Sequence, residues 1–138
     1  MQSLLSNLKQ QSFMSVLLAT IVSNTLYTLW YQIPWVTHVI YGPVLSSITP
    51  MFNITMGAYV NTLAAVIGLS LLITKKGALH GFLIGTAVAL FFPINAYLYS
   101  FIAYPLPDQT ASYAVATCVG LLLFYSIPGA LLGHFRKN

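Results

Sequence analysis

Residues 54–101 read ITMGAYVNTLAAVIGLSLLITKKGALHGFLIGTAVALFFPINAYLYSF, two apolar runs parted by Lys75-Lys76-Gly77. Ile54–Thr74 and Ala78–Phe101 contain no Asp, Glu, Lys or Arg. A bilayer core about 30 Å thick needs about 20 apolar residues at a rise of roughly 1.5 Å each, so either run is long enough to cross it. Backbone polar groups in hydrocarbon must be satisfied within the segment. These runs are too long for barrel strands, so both are expected as helices. The short Lys-Lys-Gly link predicts that they form an antiparallel hairpin.

Two further runs of the same character flank them, Phe13–Ile33 and Ala111–His134. The reading is therefore an all-α integral membrane protein, residues 1–138 forming one domain of four transmembrane helices. Tyr104-Pro-Leu-Pro-Asp108-Gln-Thr110 is a turn-rich link between the third and fourth, its prolines unable to donate to a continuing helix. With four spans, Lys9, Lys75, Lys76, Arg136 and Lys137 all fall on one side and Asp108 alone on the other. The positive-inside rule then places both termini in the cytoplasm. Trp30, Tyr31, Trp35 and Tyr41, with Tyr97, Tyr99, Phe101 and Tyr104, crowd the opposite boundary, where an apolar ring with a polar tip is at home.

Composition excludes the main soluble classes. Of 138 residues 58% are hydrophobic and 4% charged, whereas a soluble domain carries about 25% charged residues. The net charge of +4 is scattered between apolar runs and forms no clustered basic face in the sequence, so nucleic acid is not an expected partner. Cys118 stands alone, which rules out an intrachain disulfide and suits a buried packing role. The first apolar run is too long for a signal peptide and ends in Trp30-Tyr31, without a small-residue cleavage site. Met1–Ser12 carries Leu4, Leu5 and Leu8 on one helical face beside Lys9 and reads as a short interfacial helix. Pro34–Asn53 is an uncharged outer segment with three prolines, suited to the interface, to re-entry into the bundle, or to cover by another protein.

Helix association in lipid depends on close backbone contact through small residues. Gly77, Gly81 and Gly85 open the third span at four-residue spacing. Ser112, Ala116 and Gly120, then Gly129 and Gly133, do the same in the fourth, and the second adds Ala64 and Gly68. Packing within the bundle and docking to a partner both use such faces. Pro93 and Pro128 interrupt spans three and four and predict bends. Asn24, Asn61 and Asn95 are the asparagines inside the runs, and counting from the outer ends puts Asn61 and Asn95 at similar depth, where they could bond to each other.

His80 and His134 lie near the cation-bearing boundary at similar depth and are the candidates for a haem or metal, with His38 apart in the outer segment. No Cys, Asp or Glu supports them, so no cofactor or metal is expected. Asn53-Ile54-Thr55 matches a glycosylation acceptor but sits against the second span. No phosphate loop, catalytic triad or paired carboxylate is present, and with one acidic residue carboxylate acid–base chemistry is nearly excluded. No catalytic residue is assigned.

Leu29-Trp30-Tyr31 closing the first span, Gly77-Ala78-Leu79 opening the third, Asn95 with Leu98-Tyr99, then Tyr113 and Gly129-Ala130-Leu131, together resemble the small four-helix bacterial membrane proteins of domain-of-unknown-function family 1761. The chain departs from that pattern in placing its proline at Pro34, one position late, and in carrying Ser100 and Phe101 where a charge is usual. The resemblance implies the fold and a bacterial inner membrane, and no activity. The function expected is association within the membrane, as a homo-oligomer or an accessory subunit, with lipids as surroundings. The alternative is an oligomeric channel or transporter for a small neutral or hydrophobic solute, lined by Asn24, Asn61 and Asn95.

Overall fold

The computed structural model describes Ser6 and residues 9–41, 51–103 and 110–137, with side chains for all of these except Tyr41 and residues 51–58. Every regular element among them is helical: α1 (Phe13–Gln32), α2 (Pro34–Tyr41), α3 (Met51–Leu72), α4 (Ala78–Ala89), a π-turn over Leu90–Ile94, α5 (Asn95–Ala103) and α6 (Ala111–Phe135). Local chemistry sets several ends. The Ser12 hydroxyl accepts from the Ser15 N–H at 3.0 Å and the Thr110 hydroxyl from the Tyr113 N–H at 3.2 Å, so side chains cap two helices whose first amides have no intrahelical partner. Pro34 disfavours helical geometry at the residue before it and is itself at ease in a first turn, so α1 stops and α2 starts there.

The outer segment, expected as an uncharged loop over Pro34–Asn53, thus opens as a helix, and α3 already includes Met51–Asn53. α2 lies against α1 and α6 with Val36 wholly buried, and the Thr37 hydroxyl donates to the Tyr31 carbonyl at 2.5 Å. Most of the N-terminal segment read as interfacial, the middle of the outer segment, and the Tyr104–Gln109 link lie outside the described residues.

The distribution of polarity is the reverse of a water-soluble protein. Ser15, Thr20, Ser23, Asn24, Ser70 and Ser126 are buried, while Phe13, Leu79, Leu83, Phe91 and Ile102 face outward. In water such an exterior would drive aggregation; in hydrocarbon it is the solvated state. α1, the α4–α5 rod (Ala78–Ala103) and α6 are long and apolar enough to cross a membrane, which is the mark of a membrane protein. In α3 the apolar stretch with described side chains is Tyr59–Leu72, shorter than a span.

α6 is the hub of the bundle. It packs most extensively on α4, next on α1, and more lightly on α3 and α2, while α3 leans chiefly on α1. The expected hairpin between the second and third spans is corrected here: α3 and α4 touch little. The reason lies in the link, which runs over residues 73–77 instead of Lys75-Lys76-Gly77 alone, with Ile73 plugged into the core beside Ala19, Val66, Leu69 and Leu132. Five residues carry the chain away from α3 and onto α6, where the Gly77 N–H donates to the Gly133 carbonyl at 2.8 Å. Gly77 has φ 142°, a conformation in which a side chain would be strained, so its backbone can turn there at no steric cost.

Between α4 and α6 the two backbones meet directly. A Cβ on Gly81 would overlap the Gly129 carbonyl oxygen and come within 3.0 Å of the Gly133 nitrogen; one on Gly85 would overlap the Tyr125 carbonyl oxygen and come within 2.9 Å of the Ser126 Cα. Reciprocally, a Cβ on Gly129 would strike the Gly81 carbonyl and one on Gly133 the Gly77 carbonyl. Thr86 and Ser126 share a hydroxyl–hydroxyl bond of 2.8 Å across this seam. Farther along α6, buried Ala116 and Gly120 give room to α1, with the Trp30 indole 2.8 Å from where a Gly120 Cβ would sit. Ser112 and Ala64 are exposed, and a Cβ on Gly68 would meet nothing within 4 Å.

Each proline removes a backbone donor from its helix. Around Pro93 the chain widens into the π-turn, and the Asn95 N–H donates to the Phe92 carbonyl before α5 resumes. Pro128 is buried within the single long α6 and offers no N–H to the Phe124 carbonyl four residues earlier. The Ser23 hydroxyl of α1 donates to that carbonyl instead, at 3.1 Å.

Candidate functional site

Between α1, α3 and α6 lies a cleft of about 80 Å³ lined by Ser23, Tyr27, Asn61, Thr62, Ala65, Leu121, Phe124 and Tyr125. A single water occupies roughly 10–15 Å³ on such a measure, so the cleft has room for a few waters or one small solute. Helical spacing builds it. Thr20, Ser23, Asn24 and Tyr27 fall on one stripe of α1, and Leu121, Phe124, Tyr125 and Pro128 on one stripe of α6, because residues three and four apart share a face.

The polar groups behind the cleft are tied in a short network. The Thr20 hydroxyl donates to the Val16 carbonyl at 2.8 Å, and the Asn24 Nδ2 donates to the Thr20 carbonyl at 3.0 Å. The Thr62 hydroxyl crosses from α3 to Asn24 Oδ1 at 3.3 Å, and Ser23 reaches the Phe124 carbonyl as described. Tyr27 packs between Tyr31, centroids 4.5 Å apart, and Phe124, 5.2 Å apart, closing one wall with aromatic faces. No lining residue carries a charge at neutral pH, and the Ser23 proton is committed to a carbonyl. The cleft can hydrogen-bond a neutral molecule, and its described side chains hold no nucleophile with a base beside it.

The sequence-derived residues scatter across the fold. Asn24 does not line the cleft but is buried and bonded to its lining residue Thr62, and Asn61 is an exposed lining residue. Asn95 is exposed on α5, away from it. The expected bond between Asn61 and Asn95 is not formed, because α3 leans chiefly on α1, α5 does not pack on α3, and each amide faces outward. Ser23, Tyr27 and Thr62 were not singled out from the sequence. The pairs Ser23-Asn24 and Asn61-Thr62, two adjacent polar residues inside uncharged runs, were the available signal.

At the end of the bundle that carries the cations, the segment before α1 clasps the end of α6. The Lys137 N–H donates to the Gln10 carbonyl at 3.0 Å, and an Arg136 guanidinium N–H donates to Gln10 Oε1. Arg136 is buried, which pushes its guanidinium below its ordinary value without discharging it at neutral pH. His80 is half-buried with a buried Nε2 that has no hydrogen-bond partner, whereas His134 is exposed and meets Phe135 edge-on, centroids 4.8 Å apart. Among the described residues no three His, Cys, Asp or Glu side chains gather as a metal site would require.

No protein-family model matches the chain, and neither a curated protein nor a solved structure matches it. The likeness to domain-of-unknown-function family 1761 remains a resemblance of short motifs, and the chemistry of the chain's own residues carries the functional reading.

Proposed function

We propose that the chain is a four-span integral membrane protein, with α3 as the fourth span and both termini on the cytoplasmic side, that acts by association with a second membrane-embedded chain. That second chain is another copy of itself or the partner to which it is an accessory subunit. The observation that carries this reading is the outward exposure of two amides, Asn61 and Asn95, on helices otherwise faced with apolar side chains. Asn61 is ten residues from Met51 and Asn95 eight from Ala103, about 15 Å and about 12 Å of helix from those ends. Polar side chains at such depth face a bundle interior or a partner, because lipid offers them no hydrogen bond. The glycines of the α4–α6 seam are spent inside the fold, so the docking faces are the Asn61 side of α3 and the Asn95 side of α5.

A photo-crosslinking residue placed at position 61 or 95 in native membranes tests this. Discrete protein adducts at both positions, absent from the equally outward Leu83, are expected; lipid adducts alone at 61 and 95 would end the reading. The cleft favours a second function, binding of a small neutral solute on Ser23, Asn61 and Thr62. Flux of such a solute in liposomes, lost in Thr62→Val, would favour it over association alone.

A further inference from the structure

Two backbone hydrogen bonds gather the cations of this chain at one place. The bond from Gly77 to the Gly133 carbonyl, 2.8 Å, seats Lys75 and Lys76 beside the last turn of α6, and the bond from Lys137 to the Gln10 carbonyl, 3.0 Å, seats Lys9 there. Gly133 lies in the last turn of α6 and Lys137 two residues past its end, so both bonds fall at the same end of that helix. Lys9, Lys75, Lys76 and Lys137 are all exposed. The single acidic residue of the sequence is Asp108, and among the described residues no carboxylate side chain stands beside the group. Ammonium groups gathered at one end of a bundle repel one another unless an anion sits among them.

A second observation points the same way. Gln11 directly follows Gln10 and is only 8% exposed, yet its Nε2 has no hydrogen-bond partner; His80 Nε2, one turn beyond Gly77, is likewise buried and unpartnered. Both side chains thus sit at the cationic end with hydrogen-bonding capacity unused. Around this end Phe13, Met14, Leu79 and Phe135 are exposed apolar side chains, suited to the acyl chains that a headgroup brings with it.

We propose that this end of the bundle binds the phosphate headgroup of an anionic phospholipid, held by Lys9, Lys75, Lys76 and Lys137. The apolar flank selects a lipid over free phosphate. The inference rests on the chain lying in a membrane and is independent of whether it associates with a partner.

The full chain in dodecyl maltoside micelles is the test, read by thermal unfolding and by native mass spectrometry. Added phosphatidylglycerol should raise the midpoint and survive as a bound adduct, while phosphatidylcholine and inorganic phosphate at the same concentration do neither. Each lysine near an anionic surface contributes about fivefold in affinity, so K75Q/K76Q should weaken phosphatidylglycerol binding by more than about tenfold. Its midpoint in phosphatidylcholine should match the parent, since both side chains lie on an exposed link. K9Q/K137Q gives the same readout from the other side of the site, should the first pair compromise folding. Equal effects of the two lipids, full reproduction by inorganic phosphate, or undiminished binding in both variants would each overturn the proposal.

Discussion

Ser23→Ala probes the one place where two helices repair a proline. The variant removes the hydroxyl that donates to the Phe124 carbonyl at 3.1 Å, and Pro128 leaves that carbonyl without its usual intrahelical donor. An acceptor stranded in a protein interior costs about 1–3 kcal/mol, while interhelical side-chain bonds in membranes average about 0.6 and reach about 1.7 kcal/mol. The upper part of the membrane range applies here, because the helix offers no substitute donor, so a loss of about 1–1.7 kcal/mol is expected. Pro128→Ala restores an N–H at that position. In that background the carbonyl has its own partner and Ser23→Ala should cost no more than a few tenths of a kcal/mol. Packing lost with the proline ring appears in both arms of the cycle and cancels. Unfolding of the four proteins in mixed micelles, followed by tryptophan fluorescence, gives the coupling directly. If Ser23→Ala costs the same in both backgrounds to within about 0.3 kcal/mol, the hydroxyl is not standing in for the amide and the reasoning fails.

Gly81→Ala should destabilise by about 1–3 kcal/mol, because the atoms its Cβ meets are backbone and the helices must part; Gly68→Ala, with nothing within 4 Å, should be neutral or stabilise by up to about 1 kcal/mol. Equal midpoints for these two variants in detergent melts would show that the α4–α6 contact is looser than described. Asn24→Leu and Thr62→Val should be non-additive by about 0.6–1.7 kcal/mol, since they share a bond of 3.3 Å. Asn61→Leu and Asn95→Leu should add to within about 0.5 kcal/mol, and coupling between them would mean that a partner or a tighter bundle joins them. Reporter fusions after Asn138 and within Thr37–Thr49 should fall on opposite sides of the membrane, with the first in the cytoplasm; a C-terminal reporter outside would end the topology.

Helix class was legible in the sequence, because the runs without charge are long, and so were the helices starting at Phe13, Ala78 and Ala111; the helix over Pro34–Tyr41 was not, since its prolines and missing charges read as an outer segment. Lateral order was not. Lys75-Lys76-Gly77 reads as a tight hairpin, yet Ile73 unwinds into the core and lengthens the link, which lets α4 leave α3 for α6. Depth counting placed Asn61 and Asn95 level, but a count along the axis carries no information about which face an isolated amide occupies. Glycine spacing marked the faces of α4 and α6 without saying that each fits the other's backbone. The Ser23 bond was invisible for a different reason: its acceptor is a main-chain carbonyl freed by a residue 105 positions away in the chain.

The α4–α6 seam also has a meaning in time. Thr86 and Ser126 of the seam are 40 positions apart, whereas Ser23 of α1 and Phe124 of α6 are 101 apart, so the seam closes a much smaller loop than the α1–α6 contact does. α6 then offers a finished surface to α1, which arrives with α3 already beside it, because Asn24 and Thr62 are only 38 positions apart. Paired cysteines in a Cys118→Ala background, one pair across Thr86 and Ser126 and one across Tyr27 and Phe124, should therefore crosslink in that order after release from the ribosome. On this view the glycines are less a site than a clock, fixing which half of the protein becomes the template for the other.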